Sequence, residues 1–180
     1  NNGFINSSSG GLWKYAGYLQ MKFRLSALVL TAGIRYDKVT FNSFSKFSHR
    51  LGFSYLFSSI TKLNFATGRY YQTPTYWMFM NPNNSDVLRH SYTDQIVLGL
   101  EHYLSYDTRL TIEVYNKIYN NRLVQKSDIT PDPLDNRLGF SDIGGGISNG
   151  IELFIQKKFT SKWYGTLSYS YSDSKANDYR

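Results

Sequence analysis

Apolar and polar residues alternate along this chain in long runs, and that alternation restricts the fold more than any other feature. Leu110-Thr111-Ile112-Glu113-Val114 is the clearest case, with leucine, isoleucine and valine on one parity and Arg109, Thr111, Glu113 and Lys117 on the other. Successive side chains of an extended strand point to opposite faces, so such a segment is oily on one side and charged on the other. The pattern recurs in eight segments: residues 12–24, 27–38, 47–57, 61–72, 92–104, 108–119, 147–159 and a last one from 163 onward. Leu51, Phe53 and Tyr55 stand against Arg50, Gly52 and Ser54; Ile96, Leu98 and Leu100 stand against Gln95, Gly99 and Glu101. Arg69 falls on the apolar parity, close enough to its strand end to snorkel toward headgroups.

Strand length separates two fold classes. These segments run to about ten to thirteen residues, whereas soluble strands average about five to six and tilted membrane strands need about nine to eleven. The connections also alternate, short near 25, 58, 105 and 160, longer near 40, 73 and 120, and polar again over 173–180. Short turns on the inner face and long loops on the outer face are the pattern of outer-membrane barrels. The longest connection, 120–146, holds Pro131, Pro133 and Gly144-Gly145-Gly146, all loop chemistry. A soluble sandwich accounts for the alternation but for neither the strand length nor the loop asymmetry.

The expected fold is therefore all-β, an antiparallel transmembrane β-barrel. Hydrocarbon leaves no backbone N–H or C=O without a partner, so a sheet spans it only when closed. The Leu/Ile/Val/Phe parity then faces lipid. The parity carrying Arg50, Lys62, Glu101, Arg109, Glu113, Lys117, Glu152 and Lys158 faces a wet interior. Trp13, Tyr36, Tyr55, Tyr71, Tyr103, Tyr119, Trp163 and Tyr171 lie near strand ends and fit two interfacial girdles.

Composition agrees and removes other classes. Aromatics make up 17% of the chain, with 16 tyrosines, which suits strands and membrane interfaces. There is no cysteine, so a disulfide scaffold and a thiolate metal site are excluded. The net charge of +7 invites a nucleic-acid partner, but the basic residues are spread at strand spacing rather than gathered, which reads as a solvated face. The longest nearly apolar run, 25–34, contains Ser26, Thr31 and Gly33 and is far short of a membrane helix. The opening Asn1-Asn2-Gly3, followed by Ser7-Ser8-Ser9-Gly10-Gly11, reads as a loop entered midway, with no signal peptide.

No catalytic constellation emerges. Glu101 and Glu113 are paired carboxylates, yet facing charges inside a barrel serve more simply as ion pairs or pore lining. His49, His90 and His102 lack metal-ligand spacing, and His102 sits on the lipid parity at an interface. Asp128, Asp132, Asp135 and Asp142 lack the spacing of a calcium loop, and Gly144-Gly145-Gly146 has no following lysine for a phosphate loop. No enzyme activity, cofactor or metal is expected. The best candidates for ligand contact are Tyr76, Trp77 and Phe79, in the segment Tyr76-Trp77-Met78-Phe79-Met80. Exposed aromatic clusters mark binding surfaces and stack on sugars or chelate rings. The plainer account of them is a girdle anchor or a loop packed on its neighbours.

The wording of the strands is more specific than their parity. Gly33-Ile34-Arg35-Tyr36-Asp37 resembles the G-x-R-Y-D strand of TonB-dependent outer-membrane receptors. A loop and Phe47-Ser48-His49-Arg50-Leu51-Gly52-Phe53-Ser54-Tyr55 follow, as in that family, with His49 where the family usually has proline. Thr61-Lys62-Leu63, leading to Gly68-Arg69-Tyr70-Tyr71-Gln72-Thr73-Pro74, is similar to the family's next strand and its exit into an external loop. Val97-Leu98-Gly99-Leu100-Glu101, Glu113-Val114-Tyr115-Asn116-Lys117 and Gly150-Ile151-Glu152-Leu153 resemble successive later strands.

The resemblance covers residues 12–172 and implies about eight strands of a barrel of about 22, plugged by an N-terminal domain. It implies residence in the outer membrane of a Gram-negative bacterium and import of a scarce nutrient such as a metal chelate, cofactor or oligosaccharide. It further implies an energising inner-membrane TonB-type complex acting through the plug. The plug and its energising motif have no match in the chain, nor does the chain end in the aromatic residue of a last barrel strand. Residues 1–180 are thus expected to be an internal piece of the C-terminal half of such a barrel. Two other readings stay open: a self-contained eight-stranded anchor or adhesin barrel, and a soluble carbohydrate-binding β-sandwich.

Overall fold

The alternating segments fold as strands of one sheet. A computed structural model of the chain describes residues 13–40, 44–79, 81, 84, 88–125, 139–160 and 162–177. They form β1 (Lys14–Leu25), β2 (Leu28–Val39), β3 (Phe44–Leu56), β4 (Thr61–Gln72), the single-turn helix α1 (Tyr76–Phe79), β5 (Ser91–Tyr103), β6 (Thr108–Gln125), β7 (Phe140–Lys157) and β8 (Gly165–Asn177). Each strand pairs antiparallel with the next, in the order β1 to β8. A sandwich needs a second sheet, and the described residues form only one. The sheet also stays open, with β1 and β8 as its edges, so these eight strands do not close on themselves.

Register carries each strand's parity across the whole sheet. Phe23, Leu30, Phe53, Phe65, Leu98, Val114, Ile151 and Tyr171 are consecutive cross-strand partners, one from each strand. On the opposite face the corresponding row is Gln20, Gly33, Arg50, Gly68, Gln95, Lys117, Ser148 and Ser174. The apolar row is exposed, from 36% at Leu30 to 61% at Tyr171. Among the described residues only Val39 and Leu88 are buried hydrophobics. A water-soluble domain would bury such a face; this one requires an apolar solvent. No helix among the described residues is long and apolar enough to cross a membrane.

A polar belt bounds the apolar band toward the long loops. Arg69, on the apolar parity, binds its cross-strand partner Asp94 through Nε and Nη2, both at 2.7 Å, and lies 4.2 Å from the Tyr92 ring. Its charge is thus met within the sheet, by a carboxylate on the neighbouring strand. Asn116 Nδ2 donates to Asn149 Oδ1 at 2.6 Å, and Asp173 is the next partner along that row. Two girdle assignments change: Tyr103 and Tyr119 share the polar parity, opposite Arg109 and Gly146 respectively.

The longest connection is shorter than its composition implies. β6 continues to Gln125 and β7 begins at Phe140, each strand being 18 residues long. The Gly144-Gly145-Gly146 run is strand, and β8 continues through Asp173 to Asn177. Register shifts fall between Tyr119 and Arg122 and between Arg122 and Val124, with Asn121 left-handed at φ 52°. The β6 backbone crowds the first of these glycines: a Cβ on Gly144 would lie 2.7 Å from the Arg122 carbonyl oxygen. Glycine is needed for that approach, so the run that reads as loop is a bulged ladder. Residues 126–138, including Asp128, Asp132 and Asp135, lie outside the described residues, as do 1–12 and 178–180.

The opposite rim has short connections: 26–27, 57–60, 104–107 and 158–164. Two of them are joined by Asp107, which is buried. It accepts from Ser105 Oγ at 2.6 Å and Thr108 Oγ1 at 2.9 Å, and it also binds Lys157 Nζ and Thr160 Oγ1. Its backbone carbonyl accepts from Lys158 N at 2.9 Å.

Candidate functional site

At the long-loop end the chain leaving β4 folds back over the sheet. Met78 N donates to the Thr75 carbonyl at 3.0 Å and Asn84 Nδ2 to the Met78 carbonyl at 2.7 Å, which fixes the turn of α1. Asn84 Oδ1 in turn accepts from Phe140 N at 2.9 Å, tying the loop to the start of β7. Arg89 reinforces that link through its backbone N and Nε, at 2.7 and 2.8 Å from Asp142 Oδ2. Lys14 Nζ reaches Thr73 Oγ1 at 3.3 Å, so the loop also touches β1.

The three aromatic candidates divide. Trp77 meets Phe140 edge-on, with centroids 5.5 Å apart, yet stays 58% exposed. Tyr76 is 44% exposed. Phe79 packs on His90 at 5.7 Å, and His90 stacks on Phe44 at 3.5 Å and 7°. Burial pushes the His90 imidazole down to about 4, with Lys14 lowering it further and Asp37 opposing, so the ring is neutral at pH 7. Met80 lies outside the described residues. A cleft of about 280 Å³ beside α1 is lined by Met78, Tyr92, Tyr119 and Arg122, among others.

The polar face holds the charged candidates in two places. Arg50 sits between the rings of Tyr70 and Tyr18, 4.6 and 5.8 Å from their centroids. Toward the short turns, Glu101 is held by Lys62 Nζ at 3.1 Å and Arg109 Nη1 at 3.6 Å, and Arg109 Nη2 donates to Gln156 at 3.1 Å. Glu113 pairs directly with Glu152 across the ladder and leans over Gly99, where a Cβ would lie 3.2 Å from Glu113 Cγ. Glu101, Arg109, Glu113 and Glu152 line one cleft of about 320 Å³. Lys117 lies apart from them, 4.2 Å from the Tyr115 ring. Lys158 stands just beyond the end of β7.

This arrangement offers charge and hydrogen bonds along a wall, with Glu101 occupied by two cations. Among the described residues, no group of three or more His, Asp or Glu side chains is placed to hold a metal ion. His102 meets Thr61 Oγ1 through Nδ1 at 2.8 Å, and Asp142 is taken by Arg89. The rings around Arg50, the Phe44–His90 stack and the Asp107 cluster do not stand out in sequence. Most of their partners lie far away in the sequence, and only the hydroxyls flanking Asp107 in Ser105-Tyr106-Asp107-Thr108 give a local signal.

An eight-strand meander with one apolar and one charged face is the wall of a large membrane barrel. The family model described as "TonB dependent receptor-like, beta-barrel" matches residues 1–180. The chain belongs to the TonB-dependent receptor β-barrel family. The members of this family are outer-membrane receptors and transporters rather than enzymes. No curated protein matches the receptor segment in sequence.

Solved structures match it in fold. The outer-membrane transporter YddB from Escherichia coli superposes with a TM-score of 0.74 at 15% identity, over 91% of this chain and 24% of that one. The alcaligin outer-membrane receptor FauA from Bordetella pertussis gives 0.69 at 18% identity, over 93% and 31%. The siderophore receptor PirA from Pseudomonas aeruginosa gives 0.68 at 17%, over 88% and 32%. The receptor segment thus spans about a quarter to a third of the length of these proteins. It is an arc of a larger barrel.

Proposed function

We propose that this chain forms part of the barrel wall of a transporter in the outer membrane of a Gram-negative bacterium. That transporter imports a scarce nutrient such as a metal chelate, cofactor or oligosaccharide. The observation that carries the reading is the exposed apolar row running unbroken from Phe23 to Tyr171, backed by a charged face. A wall of this kind separates lipid from a polar passage. The 180 residues act as one barrel segment, with a plug domain supplied by another part of the protein and an inner-membrane TonB-type complex driving release.

Within that reading Arg50, Glu101, Arg109, Glu113, Lys117 and Glu152 line the passage. Tyr76 and Trp77, exposed at the long-loop end, meet the incoming ligand, and Phe79 holds α1 on His90. Iron, siderophore and copper transporters among the structural neighbours favour a metal-bearing cargo.

Deletion of the gene in its host tests the proposal. Growth should fail or slow on at least one limiting source among ferric siderophores, copper chelates, a corrinoid and oligosaccharides. The full gene should restore it, and a Y76A/W77A variant should restore it only at higher concentrations of that source. Normal growth of the deletion strain on every source would overturn import as the function.

A further inference from the structure

The charged side chains of the polar face are sorted by sign along the strands. From the row of Arg50 and Lys117 toward the long loops, that face carries Lys14, Arg35, Lys46, Arg50, Lys117 and Arg122. Asp37 stands among them and is already taken, accepting from Arg35 Nε and Nη2 at 2.7 and 2.8 Å. Its cross-strand partner Lys46 forms no ion pair with it, and Asp142, beyond the bulges, binds Arg89. Below that row, toward the short turns, Lys22, Arg24, Lys62 and Arg109 stand against Glu101, Glu113 and Glu152. The outer half of the face is thus cationic, whereas the inner half is close to balance.

Tyrosine rings, not carboxylates, back three of the outer cations. Arg50 lies between Tyr70 and Tyr18, Lys117 is 4.2 Å from the Tyr115 ring, and Arg122 is 5.2 Å from that of Tyr119. None of the three has an ion-pair partner among the described residues. A ring face steadies a cation without neutralising it and leaves its N–H groups free for an oxyanion. The Arg50 Nε is buried and makes no hydrogen bond among the described residues. Arg122 and Tyr119 line the cleft beside α1, where Tyr76 and Trp77 are exposed. Along β6 the polar parity continues from Tyr119 through Lys117 and Tyr115 to Glu113, which faces Glu152. The cationic stretch therefore begins at the candidate entry site and ends where two carboxylates meet. Such a field draws in anions and turns away cations.

We propose that the imported solute is a net-anionic metal chelate bearing carboxylate or phenolate oxygens, and that Arg50, Lys117 and Arg122 select it. The inference rests on the import reading above and narrows its cargo. Guanidinium forks donate paired N–H bonds to such oxygens, and the tyrosine faces beside them flank planar ligand groups. A neutral corrinoid or oligosaccharide gains nothing from three unpaired cations, and a cationic complex is repelled by them. Acidic side chains of a plug are the competing occupants. The cleft favours the cargo, because Arg122 opens onto it beside α1 and not only onto the interior of the wall.

The test measures uptake by the deletion strain carrying the intact receptor gene. The probes are an anionic ferric catecholate, anionic ferric citrate, a neutral ferric hydroxamate, a neutral corrinoid and a neutral oligosaccharide. At least one anionic complex should be taken up, and its half-saturation concentration should rise with ionic strength. R50Q/K117Q/R122Q should raise that concentration about tenfold, the scale of three exposed ion pairs, and flatten its salt dependence. R50K/K117R/R122K, which keeps the charges, should stay within about threefold of wild type. If the triple neutral variant fails to fold, K117Q alone should raise the concentration about threefold. Uptake confined to neutral probes, or an unchanged salt dependence in the neutral variants, overturns the charge selection and leaves import standing. No receptor-dependent uptake of any probe, with normal growth of the deletion strain on every source, overturns import and this inference with it.

Discussion

Asp107 shows how much one side chain does at the inner rim. Its carboxylate gathers Ser105, Thr108, Lys157 and Thr160, so the β5–β6 turn is bound to the end of β7 and the turn beyond it. The bond to Lys157, then those to Ser105 and Thr160, hold the carboxyl well below the usual carboxylate range. A lowered folded pKa contributes stability that is complete above the ordinary value of about 3.9 and drains away as pH falls below it. D107N should therefore lower the urea midpoint of the refolded receptor at pH 7, because Lys157 loses its counter-charge. The variant should also lose midpoint less steeply than wild type as pH drops from 5 toward 2. Parallel pH profiles for the two proteins would sink this assignment. In sequence the residue reads only as part of a short turn, since Lys157 is fifty positions away and adjacency comes from the ladder between β6 and β7.

At the scale of strands, the hairpin of β6 and β7 extends well past the apolar band. There one face no longer needs to be oily, so alternation fades and composition resembles a loop. Gly144 is the position where that outer ladder is tightest, with the Arg122 oxygen and Val124 Cγ1 both 2.7 Å from a would-be Cβ. G144V should cost about 1–3 kcal/mol by forcing the two backbones apart. Hydrogen exchange in the outer part of β6 and β7 should rise, while protection at Ile112 and Leu153 stays as in wild type. Unchanged exchange throughout would show that the bulge absorbs a side chain freely. Membrane-level segments were legible because a bilayer enforces strict parity, and β4 begins and ends where alternation places it. Pairing was not legible: β3 and β4 are in register only from Arg50/Gly68 to Leu56/Lys62, and their outer halves pair with other neighbours. No pattern within either strand announces that split.

The whole arc has two open edges, and these decide how it behaves outside its barrel. β1 exposes its outer edge along Lys14–Leu25, and β8 along Gly165–Asn177. Both strands carry exposed apolar side chains, including Leu19, Met21, Phe23, Leu167 and Tyr169. In hydrocarbon each unpaired backbone group costs several kcal/mol, and strands this long carry many of them. Detergent covers the side chains but supplies no backbone donors or acceptors, so the edges find one another between copies. The 180-residue chain, refolded alone in detergent, should therefore give a ladder of multimers by crosslinking and no heat-modifiable band. Lysine substitutions at Leu19 and Tyr169 should shift that ladder toward smaller species, because edge charges oppose strand pairing. The intact receptor should show heat-modifiable migration under the same conditions. A monodisperse, heat-modifiable monomer from the 180 residues would mean that eight strands can close without their neighbours, and the arc would have to be redrawn as a barrel of its own.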